Sequence, residues 1–388
     1  MRKKQAKPSG LRWGRIAICI LLLLLAGSLA LFLRYTTRML PSQQAAERWA
    51  SSGDRFAQVT AFLPEYGGLM PGSMAGLEAA IMRELLLEGL EPHTPAGAPV
   101  FAYSAEAVLR VASEYRGPVD AYVTGVGGNF FLFHPVQLIS GSTFAPDSIN
   151  RDLAVIDETL AWWLFGATDV AGMELIIGGN SFLISGVYRP LQDFASQAAE
   201  GALPHMFLYY DALAGERGMV PITTIEVVLP NPISGIAASI LLEALDGAGV
   251  EDGEFVFVEN SARYRLSALI DVIRNFGQRS MYRTGLRLPY WENAARMAED
   301  FAALALLLMM LLLIYPAVVA ICLFCRRFQR RKWRMRDARK KLEQMREQRR
   351  EAEWQSPRLA VGEEDPSLDV DKIIREVRES EGNYETES

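Results

Sequence analysis

Three histidines, three cysteines and an adjacent carboxylate pair are the residues of this 388-residue chain whose types could do chemistry. His93, His134 and His205 could ligate a metal, yet they are scattered, with no second His or Cys at ligand spacing. Asp157-Glu158 offers two carboxylates for acid–base work, but neighbouring side chains on a forming helix diverge. An acid there is explained by capping and the helix dipole. Cys322-x-x-Cys325 has a redox spacing without the βαβ context that chemistry uses, so packing or lipidation accounts for it. Gly72-Ser-Met-Ala-Gly76 places its serine second and is no nucleophile elbow. No Gly-x-x-x-x-Gly-Lys-Ser/Thr phosphate loop is present. The expectation is a chain with no catalytic, cofactor-binding or metal-ligating residues, and so not an enzyme.

Binding features remain. Trp162-Trp163 and Phe130-Phe131 read as core and edge aromatics, an exposed member of either pair marking a partner surface. Val370, Ile373, Ile374 and Val377 form an i, i+3, i+4, i+7 stripe in an acidic tail, the pattern of a helix that docks in a groove. An isolated helix that short is marginal in water, which implies a cytosolic partner.

The elements that position these residues begin with two apolar runs, Ile16 to Leu33 and Phe301 to Cys325. At about 1.5 Å per residue they reach roughly 27 and 37 Å, enough to cross a hydrocarbon core. Pro316 would kink the second. A cleavable signal peptide is the rival for the first, with Ser28-Leu29-Ala30 as its cleavage site. Leu31, Phe32 and Leu33 extend the run past that site and favour a retained anchor.

Six basic residues precede the first span, and Arg326, Arg327, Arg330, Arg331, Lys332, Arg334 and Arg336 follow the second, so both ends face the cytoplasm. The expected organisation is a cytoplasmic N-terminus (1–15), a transmembrane helix (16–34), an extracytoplasmic domain (35–298), a second transmembrane helix (299–325), a basic cytoplasmic helix (326–350) and an acidic, mostly disordered tail (351–388). The protein is thus expected in the cell membrane, the inner or cytoplasmic one, as a two-pass chain. Residues 39–298 carry 15 Arg against 29 Asp and Glu, the wrong sign for nucleic acid. Residues 326–350 hold 13 basic residues against 3 acids and would lie on anionic headgroups, Trp333 acting as anchor. Phe328, Met335 and Leu342, seven apart, hint at a coiled coil. The cysteines lie in or at the ends of the spans, leaving the exterior domain without disulfides; about 260 residues can bury a core without them.

The fold class expected for the exterior segment is α+β, a mixed α/β domain between two transmembrane helices with helical stalks. A stalk helix is read over Ser42 to Thr60, a helix over Leu77 to Leu90, and a loop at Glu91 to Pro95. Strands are read at Ala121–Val126, Phe130–Phe133, Leu153–Ile156, Glu174–Ile177, Ser181–Val187, Met206–Tyr210, Thr224–Leu229 and Glu254–Val258. Helices are read at Glu158–Phe165 and Ile233–Leu245, the latter closing a βαβ-like element. Gly178-Gly179-Asn180 makes a tight hairpin turn. Leu266, Leu269, Ile270, Ile273 and Phe276 form a helical stripe, and Tyr290-Trp291 fits an interfacial aromatic belt.

Five blocks in order carry a resemblance: Gly125-Val-Gly-Gly-Asn-Phe-Phe-Leu-Phe-His134, Leu138-Ile-Ser-Gly-Ser-Thr-Phe144, Ala154-Val-Ile-Asp-Glu-Thr-Leu-Ala161, Leu164-Phe-Gly-Ala-Thr-Asp-Val-Ala-Gly172 and Phe182-Leu-Ile-Ser-Gly-Val187. Together they resemble the MacB-like periplasmic core domain of FtsX-type ABC transporter permeases. The resemblance implies a non-enzymatic component of an ABC-type assembly whose exterior domain senses a partner and transmits motion across the membrane. Its implied partners are a separate ABC ATPase and a full permease subunit. Permeases of that family carry three further spans after the core domain, whereas one is read here. The alternative is a membrane-anchored scaffold or signalling adaptor that uses the domain as an interaction surface.

Overall fold

The computed structural model describes residues 10–50, 55–65, 69–90, 98–250, 255–278, 282–283 and 286–355. Among them, helix α1 (Gly10–Arg38) leads through a 3-10 turn at Pro41–Gln43 into the short α2 (Ala45–Trp49), β1 (Phe56–Phe62) and α3 (Pro71–Leu87). β2 (Val100–Ala112), β3 (Val119–Gly128), α4 (Phe130–Phe133), β4 (Gln137–Gly141), β5 (Leu153–Asp157) and α5 (Glu158–Phe165) follow. Next come β6 (Glu174–Ile177), β7 (Asn180–Arg189), α6 (Phe194–Ala199), β8 (His205–Tyr209), α7 (Tyr210–Arg217) and β9 (Thr224–Pro230). α8 (Ile236–Gly247), β10 (Val256–Glu259), α9 (Leu266–Arg274), the two-residue strands β11 (Tyr282–Arg283) and β12 (Leu286–Arg287), and α10 (Tyr290–Gln355) complete the order.

The sheet runs β10-β1-β9-β2-β3-β8-β5-β7-β4, with β6 bridging β2 and β7. That bridge closes a circuit through β2, β3, β8, β5, β7 and β6, in which β3–β8 and β5–β7 are parallel and the other contacts antiparallel. Within that circuit no strand is left unpaired on either side, β10 and β4 remaining as the sheet's edges, and it encloses Val111, Val123, Ile156, Leu175, Ile184, Met206 and Leu208 in one core. β1 lies antiparallel between β9 and β10, so β9-α8-β10 is a split βαβ unit. The mixed α/β architecture flanked by two helices agrees with the fold class read from the sequence.

Several elements depart from that reading. The stalk helix is absent: after the five-residue α2, Phe56 to Phe62 is a strand, because paired with β9 on one side and β10 on the other its side chains are buried on both faces. Phe130 to Phe133 is one turn of helix. Gly128 takes a φ of +64°, where a Cβ would stand 2.4 Å from the Phe101 carbonyl oxygen, and the chain then curls so that Phe130 and Phe133 both turn inward. β2, the longest strand, escaped notice because Ala, Ser and Glu dilute its β-branched residues. The loop at Glu91 to Pro95, and His93 with it, lies outside the described residues. The hairpin turn holds, Gly178 and Gly179 both adopting positive φ.

Gly186 sits within β7, where an added Cβ would lie 2.5 Å from the Ser142 carbonyl oxygen and 3.2 Å from Leu138 Cδ2. Gly186→Val should therefore cost about 1 to 3 kcal/mol or more by overpacking. Thermal unfolding of the full chain in nanodiscs measures it, and an unchanged midpoint would mean that β7 can slide away from β4.

Two helices, α1 and α10, are long and apolar enough to cross a membrane. The chain divides into two compact units, 1–316 and 317–388. In the second unit, the described part is helix throughout to Gln355, with Phe328, Trp333, Met335 and Leu342 exposed.

Candidate coupling site at the helix roots

The residues that leave α1 and those that enter α10 meet around one buried arginine. Arg263, in the turn before α9, has a side chain only 2% exposed and faces Glu292, which is fully enclosed. Its Nη2 donates to Glu292 Oε1 at 2.6 Å, its Nη1 to Glu292 Oε2 at 2.8 Å and to Gln43 Oε1 at 2.9 Å, and its Nε donates to Glu299. The planar fork thus spans two turns of α10 and the 3-10 turn after α1. Burial works to lower the Arg263 pKa, but Glu292 and Glu299 outweigh it and hold the guanidinium charged. Burial likewise works to raise the Glu292 carboxyl, which Arg263 and Arg296 hold below the usual range; Arg296 Nε donates to Glu292 at 2.8 Å.

The network continues into the sheet. Asn260 donates to Gln43 at 2.8 Å and accepts from the Thr60 hydroxyl at 2.8 Å. Gln58 of β1 accepts from the Ala45 amide at 2.9 Å and donates to the Ser42 carbonyl at 2.7 Å. Glu226 of β9 lies against Gln58 and pairs with His134 Nε2. Each of these polar groups stands in an apolar strand or turn where an unpaired atom would cost roughly 1 to 3 kcal/mol, so the network specifies one seating of both helix roots.

An aromatic wall covers it. Trp291 is buried, with ring centroids 4.5 Å from His134 and 5.9 Å from Phe130, which packs in turn on Phe207. Leu40 packs with Ala294, Ala295 and Ala298, the small residues letting the chain after α1 approach α10 closely. The sequence-based placement of Tyr290-Trp291 in a membrane belt is therefore corrected. These rings are domain core, since their partners are strand and α4 aromatics.

A second titratable group adjoins the same root. The Tyr122 hydroxyl donates to Glu106 Oε2, Arg287 lies 5.2 Å from the Tyr122 ring, and the His205 ring packs tilted 5.1 Å from Tyr122 and edge-on 5.0 Å from Tyr290. Burial pushes the Glu106 carboxyl up to about 7, opposed by the Tyr122 hydrogen bond and Arg287 and aided by Glu65. Burial pulls His205 down to about 4. Folded Glu106 keeps its proton to about pH 7, whereas the unfolded residue loses it near 4.5. Its contribution is therefore full below pH 4.5 and lost as pH rises through 7. His205 acts oppositely, its contribution being full above 6.5 and lost toward 4. Glu106→Gln removes only the first effect. The wild-type minus variant stability should fall by about 3 kcal/mol between pH 4.5 and 7.5, read from melting curves. Parallel curves for the two proteins would contradict it.

Residues 16–253 match the family model of the MacB-like periplasmic core domain. The chain belongs to that family. No curated protein matches it. The extracellular domain of the noncanonic ABC-type transporter YknZ from Gram-positive bacteria is 14% identical and overlaps with a TM-score of 0.38, covering 52% of this chain and 99% of its own. The periplasmic region of MacB from Actinobacillus actinomycetemcomitans is 16% identical with a TM-score of 0.39, covering 57% and 93%. Overlaps of this quality leave the family model to carry the assignment. As a MacB-like chain with two flanking apolar helices, the protein is a membrane component of the ABC-permease-like class with an extracytoplasmic domain.

Within this MacB-like domain the aromatic pairs separate. Phe130 is buried and Phe131 half-buried, whereas Trp162 and Trp163 are 57% and 40% exposed, their carbonyls held by Arg116. Asp157 caps α5, accepting from the Leu160 amide at 2.6 Å, and also accepts from the His205 amide at 2.6 Å. Val370, Ile373, Ile374 and Val377 lie outside the described residues. Arg263, Glu292, Gln58 and Glu226 were not singled out from the sequence. The available signal was a lone Gln or Glu inside the apolar strands Phe-Ala-Gln-Val-Thr-Ala-Phe and Thr-Ile-Glu-Val-Val-Leu-Pro.

Proposed function

We propose that the chain is a non-enzymatic member of an ABC-type assembly, in which the extracytoplasmic domain receives a partner and passes its displacement to the cytoplasmic side through α10. The observation that carries this reading is the root of α10: Trp291 to Ala298 belongs to the domain core, and Arg263 ties Glu292 and Glu299 to the turn that follows α1. A domain so joined cannot shift without moving the helix that enters the bilayer. A separate ATPase and a full permease subunit are the partners this requires, the chain having no phosphate loop of its own. The exposed Trp162-Trp163 edge is the proposed extracytoplasmic contact. In the tail, the stripe Val370, Ile373, Ile374 and Val377 is the proposed cytosolic one. The adaptor reading uses the same two surfaces without an ATPase.

The proposal needs both termini in the cytoplasm, as the flanking charges suggest. With the native cysteines replaced by serine, a cysteine at Gly215 should react with a membrane-impermeant maleimide in whole cells, and one at Gly362 should react only after lysis. Equal labelling of both in intact cells would put the tail on the same side as the domain, which contradicts the two-span topology and removes the route to the cytoplasm.

A further inference from the structure

We infer that α9 is an interfacial helix, which lies in the outer headgroup layer and seats the domain on an anionic phospholipid surface. Its inner face packs on the membrane spans themselves. Leu269 is buried with Ala302 and Leu306, and Ile270 and Ile273 join Leu33 of α1 and Met309 of α10 in the same cluster. Leu306 and Met309 follow Phe301, the first residue of the apolar run, by five and eight positions. At about 1.5 Å per residue this places them roughly 7 to 12 Å beyond the start of the run. An element touching them lies at the depth of interfacial helices, about 5 to 10 Å into the headgroup and acyl boundary.

The outer side chains fit that depth. Leu266, the first residue of α9, is 61% exposed and Phe276, in the 3-10 turn that follows it, 62% exposed, while Asp271 and Arg274 pair across its polar face at 3.6 Å. Phe194 of α6, also exposed, meets Phe301 edge to face at 5.1 Å, so a second element of the domain reaches the same level. Large apolar side chains at this level are continuous with the lipid-facing surface of the spans, and lipid is what covers that surface. Charge selects the kind of lipid. α9 carries Arg265 at its N-cap and Arg274 in its last turn against the single acid Asp271, within an exterior segment whose acids outnumber its arginines 29 to 15. A basic stretch on an acidic domain, beside the bilayer, favours anionic headgroups.

The test uses the full chain in nanodiscs, with Cys19, Cys322 and Cys325 changed to serine and nitroxides at Leu266→Cys, Phe276→Cys and, as an aqueous control, Gly215→Cys. Collision rates with oxygen and with a water-soluble nickel chelate are compared. The oxygen-to-nickel ratio at 266 and 276 should exceed that at 215 several-fold. Ratios equal to the control would place α9 in water and overturn the inference. Poor access to both reagents would mean that protein covers the face, which overturns it equally. A second measurement needs no cysteine change. The wild-type melting midpoint should be higher in phosphatidylglycerol-containing nanodiscs than in phosphatidylcholine alone, and Arg265→Gln/Arg274→Gln should abolish the difference. A difference that survives intact would show that these arginines do not meet the headgroups.

Discussion

Arg263→Met should lower the stability of the full chain by about 3 to 5 kcal/mol, because it removes the buried guanidinium that the carboxylates of Glu292 and Glu299 both face. Arg296 still reaches Glu292, which limits the loss without repairing it, since the bidentate bond and the Gln43 contact are gone. For a domain of this size that corresponds to a fall of roughly 10 °C in melting midpoint. Adding Glu292→Gln and Glu299→Gln to the same variant should recover part of the loss, the neutral amides no longer carrying a buried charge. A single variant that melts within about 2 °C of wild type would show that the network is ornamental and the helix roots are held by packing alone.

Trp291→Ala should cost about 3 to 5 kcal/mol as well, the usual penalty for emptying a large buried aromatic site. The ring is enclosed by Phe130, His134 and Tyr290, and its loss opens a cavity at the seat of α10. Had the tryptophan been a membrane-belt anchor, the same substitution would leave the core intact and change the midpoint little. Thermal unfolding separates the two cases, a loss under about 1 kcal/mol favouring the belt.

Why one placement was legible and the other not is a matter of local against tertiary information. The α5 cap at Asp157 and the Gly178-Gly179 turn follow from side-chain hydrogen bonding and backbone freedom within a few residues, and these were read correctly, whereas the helix read from Ile233 begins at Ile236, after Gly235 in the left-handed region. Trp291 beside Tyr290, just ahead of an apolar span, has the composition of an interfacial belt; only the fold brings α4 and β8 against it. Phe56 to Thr60 shows the same limit, since Phe56 continues the helical spacing of Ala45, Ala46 and Trp49, and the two strands that pair with it lie about 170 and 200 positions away. The network around Arg263 is the extreme case. Gln43, Asn260, Arg263 and Glu292 are unremarkable singly and acquire a role when the β1–β9–β10 pairing draws them together.

Affinity capture of the full chain from its native membranes in mild detergent, followed by mass spectrometry, tests the central claim most directly. Membership of an ABC-type assembly predicts an ATPase of that class, enriched over a control membrane protein and retained by the Ile373→Asp chain, which should lose only proteins held by the tail stripe. A folded, correctly inserted chain that captures no ATPase, with every enriched protein lost on Ile373→Asp, would contradict the account and make the protein an adaptor.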